Sequence, residues 1–199
     1  MNTTTLNEIR SHRPCGRLGG LFGSPCEELW EKLLEGLGKT KADDEPLPYS
    51  TILKVCGLDD TLWAIVCCHP RGLRICAEFA LWCAEGVRHL MRDPRSIAAL
   101  GMARQYLEGN TTFDQLQEAV AAAWAAAWAA DYAGYAAACA AGWAAASSGA
   151  SNEADWASDW VAGRTVAHAA SCSAACLKDW TAARTAQNSK LVELLEEMP

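Results

Sequence analysis

A chain of 199 residues, 51% of them hydrophobic, is long enough to bury a core of its own. Its net charge of −7, from 17 basic and 24 acidic side chains, argues against the clustered Lys and Arg that phosphate contacts need, so no nucleic-acid partner is expected. Ten cysteines follow a polar start, MNTTTLNEIRSHRP, that has no secretory signal pattern, which predicts a reducing cytoplasm and mostly buried, free thiols.

Residues 1 to 27 carry no periodic pattern, and Pro14-Cys15 and Pro25-Cys26 flank the glycine-rich GRLGGLFGS, so an irregular segment is expected there. Glu27 to Leu34 predicts the first helix, with acidic residues in its first turn and Trp30, Leu33 and Leu34 on its apolar face. Gly36-Leu37-Gly38-Lys39-Thr40 resembles the end of a phosphate-binding loop. The motif's first glycine is replaced by Leu33, however, and a helix rather than a strand precedes it, so a glycine helix stop is expected.

Lys41 to Pro48 reads as a charged connector, and Tyr49 to Val55 fits either a strand or a helix. Asp59 or Asp60 is placed to cap a helix over Thr61 to Cys68, which His69-Pro70-Arg71-Gly72 ends. Further helices are predicted over Leu73 to Arg92 and Ser96 to Leu107, separated by Asp93-Pro94 and closed by Gly109-Asn110. Residues 1–110 are thus expected to form a cluster of short helices.

The region 111–199 is built differently. Thr112 and Gln115 form a capping box ahead of Ala119 to Ser148, a run dominated by alanine whose one charge is Asp131. Trp124, Trp128, Tyr132, Tyr135, Cys139 and Trp143 recur every three or four residues, so a helix here carries an aromatic stripe that needs a partner surface. The run is long enough to span a bilayer. Asp131 would then lie near the bilayer centre at a cost of roughly 3 kcal/mol, and no basic cluster flanks the run, so packing on protein is expected instead.

Ser147 to Asn152 reads as a turn, and a second helix is predicted from Glu153 to about Gln187. The two would make an antiparallel hairpin with arms of about 45 Å, followed by a short amphipathic helix around Leu191 to Leu195.

Three groups of residues invite a chemical reading. His168, Cys172 and Cys176 fall within one arc of a helix and would hold zinc if Cys139 or another helix gave a fourth ligand, but this spacing is unusual for structural zinc. Buried thiols and a hydrogen-bonded histidine are the favoured alternative, and no cofactor is expected. Cys67-Cys68-His69 sets a thiol beside a base, but neighbours on a helix point apart. Asp43-Asp44-Glu45 and Asp59-Asp60 are explained by solvation and capping, and His89 has no nucleophile pattern around it. No catalytic set is found.

Nine tryptophans remain, and Trp is enriched at binding hot spots as well as in cores. Trp124, Trp128, Tyr132, Tyr135, Trp143, Trp156 and Trp160 are the candidate partner-binding residues, because a two-helix hairpin cannot bury all of its aromatic side chains.

The segments WEKLLEGLGKTKADDEPLPYSTIL, GLDDTLWAIVCC, FALWCAEGVRHLMRDPRSIAAL and YLEGNTTFDQLQEA give the stretch from Trp30 to Ala127 a resemblance to a family of uncharacterised proteins frequent in tailed phages and prophages. Some of these carry an immunity-protein-like label, and an Ala- and Trp-rich helical tail follows in them too. GRLGGLFGS departs from the pattern. The resemblance implies a small intracellular helical protein without known catalysis and transfers no binding residue.

Together these features predict an all-α protein, with an N-terminal helical cluster beside a long alanine-rich hairpin. The function expected of it is non-enzymatic: an inhibitor, in the host cytoplasm, of a protein partner such as a defence component or toxin. Self-assembly into a homo-oligomer through the Ala and Trp faces is one alternative, and a membrane-active role for the 119–148 helix is another.

Overall fold

The computed structural model describes residues 2–12, 26–127, 135–137, 139–140 and 169–197. The protein is all-α, as its composition predicts, and the only sheet among the described residues is a pair of two-residue strands. The N-terminus is more ordered than its sequence suggests. Thr3–Thr4 (β1) pairs antiparallel with Leu47–Pro48 (β2), and Leu6–Ser11 forms a short helix (α1) whose Leu6 and Ile9 are buried. Thr5 caps it by accepting from the Glu8 backbone N–H at 3.0 Å, a local signal hidden in a Thr-rich start.

The next helix (α2) spans Cys26–Gly36. It ends as a Schellman motif: Lys39 N–H donates to Leu34 O, Gly38 N–H donates to Glu35 O, and Gly38 sits at φ +65°. The Lys39 ammonium is then taken up by Asp43 and Glu45, so Gly-Lys-Thr is a helix stop.

Tyr49–Cys56 (α3), Leu58–Cys68 (α4) and Gly72–Gly86 (α5) follow, with a single 3-10 turn at Arg88–Leu90. Tyr49 to Val55 is thus helical. Gly57, at φ +93°, joins α3 to α4. It takes the cap position, so α4 starts ahead of Asp59 and Asp60, which stand in its first turn instead of capping it. Between α4 and α5 the backbones nearly touch: a Cβ added to Gly72 would lie 2.1 Å from the Ile65 carbonyl oxygen.

The helix predicted over Leu73 to Arg92 ends early, at Gly86. Pro94–Leu107 (α6) starts earlier than Ser96, because Asp93 accepts from Arg95 N–H at 2.9 Å and proline suits a first turn that has no use for its missing N–H. A second Schellman end follows, with Asn110 N–H on Gln105 O at 2.7 Å. The expected capping box then opens Phe113–Ala127 (α7): Gln115 N–H donates to the Thr112 hydroxyl and Thr112 N–H donates to Gln115 Oε1.

Beyond α7 the long-hairpin expectation needs two corrections. A straight helix places Trp124 and Tyr135 about 16 Å apart along its axis. Their rings instead meet edge to face at 5.2 Å between centroids, so the two residues do not share one straight helix; α7 is described as far as Ala127. The second arm does not run unbroken to Gln187 either. Residues 169–175 are helical, a turn follows, and Trp180–Glu197 forms a separate final helix (α8) that takes in the predicted Leu191 to Leu195 segment. Asp179 causes the restart: its side chain accepts from Ala182 N–H at 2.9 Å and its carbonyl from Ala183 N–H at 3.0 Å. The turn predicted at Ser147 to Asn152 lies outside the described residues.

Helix α5 lies at the centre, packed by α4, α6 and α8. Ile75, Cys76, Phe79, Ala80 and Ala84 on it are all fully buried. Residues of both predicted regions, from Leu6 to Leu195, belong to one hydrophobic cluster.

Candidate functional site

Of the seven aromatic residues expected to bind a partner, Trp124 and Tyr135 are described. Both are partly buried and packed against the core, each covering part of the other. Trp128, Tyr132, Trp143, Trp156 and Trp160 lie outside the described residues. Among the described residues the exposed large apolar side chains are others: Trp82 at 39%, Leu177 at 40% and Trp180 at 48%.

Trp82 stands on the one solvent-facing strip of α5. Helical spacing sets it between two ion-paired acids, Glu78 with Arg74 at 2.7 Å, and Glu85 with Arg88 at 3.6 Å and Arg104 of α6 at 3.4 Å. Its sequence neighbour Cys83 points the other way, into the core, where burial pushes its thiol up to about 12 beside Ser173 and Gln187.

Trp180 opens α8, just past the turn that carries Leu177. One face of its ring carries the Arg184 guanidinium, 5.6 Å from the ring centroid. Arg184 is fixed in turn, donating to Asp59 of α4 at 2.7 Å and to Gln187 Oε1 at 3.3 Å. Gln187 is buried and spends its amide protons on Ala170 O at 2.8 Å and Ser173 Oγ at 3.1 Å. A chain of hydrogen bonds thus runs from the buried junction of α8 with residues 169–175 to Arg184, whose guanidinium stacks on the exposed indole. Such an arrangement can present a rigid aromatic anchor, because less side-chain freedom is left to lose when a partner covers it.

The thiol groups give no comparable surface. Of the suggested zinc ligands, Cys139 and Cys172 are buried, Cys176 is half-buried and His168 lies outside the described residues. Cys172 lies close to both other thiols, and burial raises Cys139 to about 12. No group of three or more His, Cys, Asp or Glu side chains among the described residues is arranged to hold a metal ion. Nor is any helix among them long and apolar enough to cross a membrane.

Trp180 falls inside the helix predicted from Glu153 to about Gln187, and the turn that exposes it is not legible in the sequence because no glycine or proline marks it. No family model matches the chain, nor does any curated protein or solved structure.

Proposed function

We propose that this chain is a non-enzymatic binding protein that inhibits or neutralises another protein, of the phage or prophage kind its sequence resembles, acting in the host cytoplasm on a defence component or toxin. The observation that carries the proposal is Trp180, half exposed yet held by Arg184, which Asp59 holds in turn. Trp and Arg are the residues most enriched at binding hot spots, and pre-organisation lowers the cost of using them. Trp82 and its arginine pairs offer a second anchor of the same composition.

The test is affinity capture from host lysate with the full chain, followed by titration of whatever is recovered. The expected result is one saturable protein partner whose affinity falls at least about tenfold when Trp180 is replaced by Ala, with the fold unchanged by circular dichroism. Failure to recover any saturable partner would overturn the proposal. So would a mass that grows with protein concentration in light scattering and is reset by Trp180→Ala, which would assign the anchor to self-assembly instead.

A further inference from the structure

The N-terminal residues lie over a group of reactive side chains that the binding proposal does not use. Tyr49 is fully buried, and its hydroxyl has no hydrogen-bond partner. Its ring is 5.8 Å from the ring of His69, which is itself buried and accepts at Nδ1 from Arg71 N–H at 3.0 Å. The Cys68 thiol, at the end of α4, lies near the Tyr49 phenol, and His69 follows it in the chain. All three belong to the body of the protein, and the other wall comes from residues 2–12. The Thr4 hydroxyl lies against both the phenol and the thiol but gives its proton to Glu8 Oε2 at 2.7 Å.

This wall is held by little. Two residue pairs form its sheet, Tyr49 N–H reaches Asn2 O at 3.2 Å, and Asn7 binds Asp43 O and Asp44 Oδ1 at 3.1 and 2.9 Å. Leu6 and Ile9 are its large buried anchors, on a helix of six residues, too short to persist alone. Segments of this kind open locally well before the core does.

We propose that residues 2–12 are a displaceable strap over a latent thiol site formed by Tyr49, Cys68 and His69, open to small soft electrophiles when the strap lifts. Closed, Cys68 is half-buried, desolvation holds its thiol at about 12 and Glu8 opposes its ionisation, so little thiolate is present near neutral pH. Lifting the strap lets water reach the sulfur, the largest of the effects, and removes the opposing charge of Glu8 along with the Thr4 hydroxyl that favours the thiolate. The thiol then loses its proton to solvent, its sulfur lone pair forms a bond to the electrophilic carbon, and the leaving group departs with the electrons of the bond it breaks.

Iodoacetamide alkylation of the full chain, followed by peptide mass spectrometry in a Cys67→Ser background, tests this. Cys76, fully buried between α4 and α5, reports global unfolding in the same sample. The expected result is that Leu6→Asp with Ile9→Asp speeds Cys68 labelling at least about tenfold while Cys76 stays protected. If that variant unfolds, both thiols will react, and the milder Ile9→Ala then decides by the same comparison. Equal rates at Cys68 and Cys76 in the parent and in Ile9→Ala would overturn the proposal. So would a Cys68 in the parent that reacts as fast as in guanidinium.

Discussion

Tyr49 and Asp93 show how much a single polar group depends on its partner. The Tyr49 phenol is buried without a hydrogen bond, and burial, followed by the nearby Cys68 and Glu8, pushes its pKa up, so it stays neutral and unsatisfied. An unmade hydrogen bond in a core costs about 1–3 kcal/mol, so Tyr49→Phe is expected to leave stability unchanged or raise it by about 1 kcal/mol in urea unfolding. A loss of 2 kcal/mol or more would mean that the hydroxyl does have a partner. Asp93 is the opposite case. Side-chain hydrogen bonds from Arg95 and then the Arg95 backbone N–H hold its carboxyl down at about 2. A lowered carboxyl stabilises the fold above its unfolded pKa of about 3.9, and that contribution disappears as pH falls toward 2. Asp93→Asn keeps the cap acceptor but not the charge. Its melting temperature should therefore fall less steeply than the parent's between about pH 4 and pH 2.

Among the elements, two glycines in neighbouring helices are expected to behave in opposite ways. Gly72 is where α5 crosses the α4 backbone, and no side-chain movement makes room for a methyl group 2.1 Å from a carbonyl oxygen. Gly72→Ala should cost about 3 kcal/mol. Gly101, inside α6, has open space around its missing Cβ, so Gly101→Ala should stabilise by about 0.5–1 kcal/mol through helix propensity alone. Thermal melts of the pair check both signs.

Though the caps at Thr5 and Asp179 were not legible in the sequence, several other helix ends that a side chain or a glycine writes locally were. The capping box at Thr112 and the stops at Gly38 and Gly109 are of this kind. Elements set by tertiary contact were not legible. Alanine periodicity alone does not reveal that the chain brings Trp124 against Tyr135, and although Asp179 caps the start of α8, the buried seat of Gln187 that fixes where this helix docks is a tertiary contact. The same limit misplaced the candidate site, since a tryptophan's exposure depends on which neighbours arrive to cover it.

For the whole molecule, one cluster running from Leu6 to Leu195 predicts a single unfolding event across the two regions read from the sequence. Tryptophan fluorescence and far-ultraviolet circular dichroism should therefore give coincident urea transitions, and separated midpoints would show that 1–110 and 111–199 fold apart. Leu191, fully buried on α8, makes the link quantitative. Leu191→Ala should shift both signals together, by about 3 kcal/mol.

The ion pair between Arg184 and Asp59 joins positions 125 residues apart. During synthesis, α4 and α5 leave the ribosome long before α8 is made, by roughly 6 to 25 s at 5–20 residues per second. Through that interval the side of α5 that α8 covers has no mate, and a nascent chain of this composition is exposed to chaperones and to its neighbours on the same message. Its yield in the cell should thus depend on how quickly the last helix is translated as much as on how stable the finished fold is.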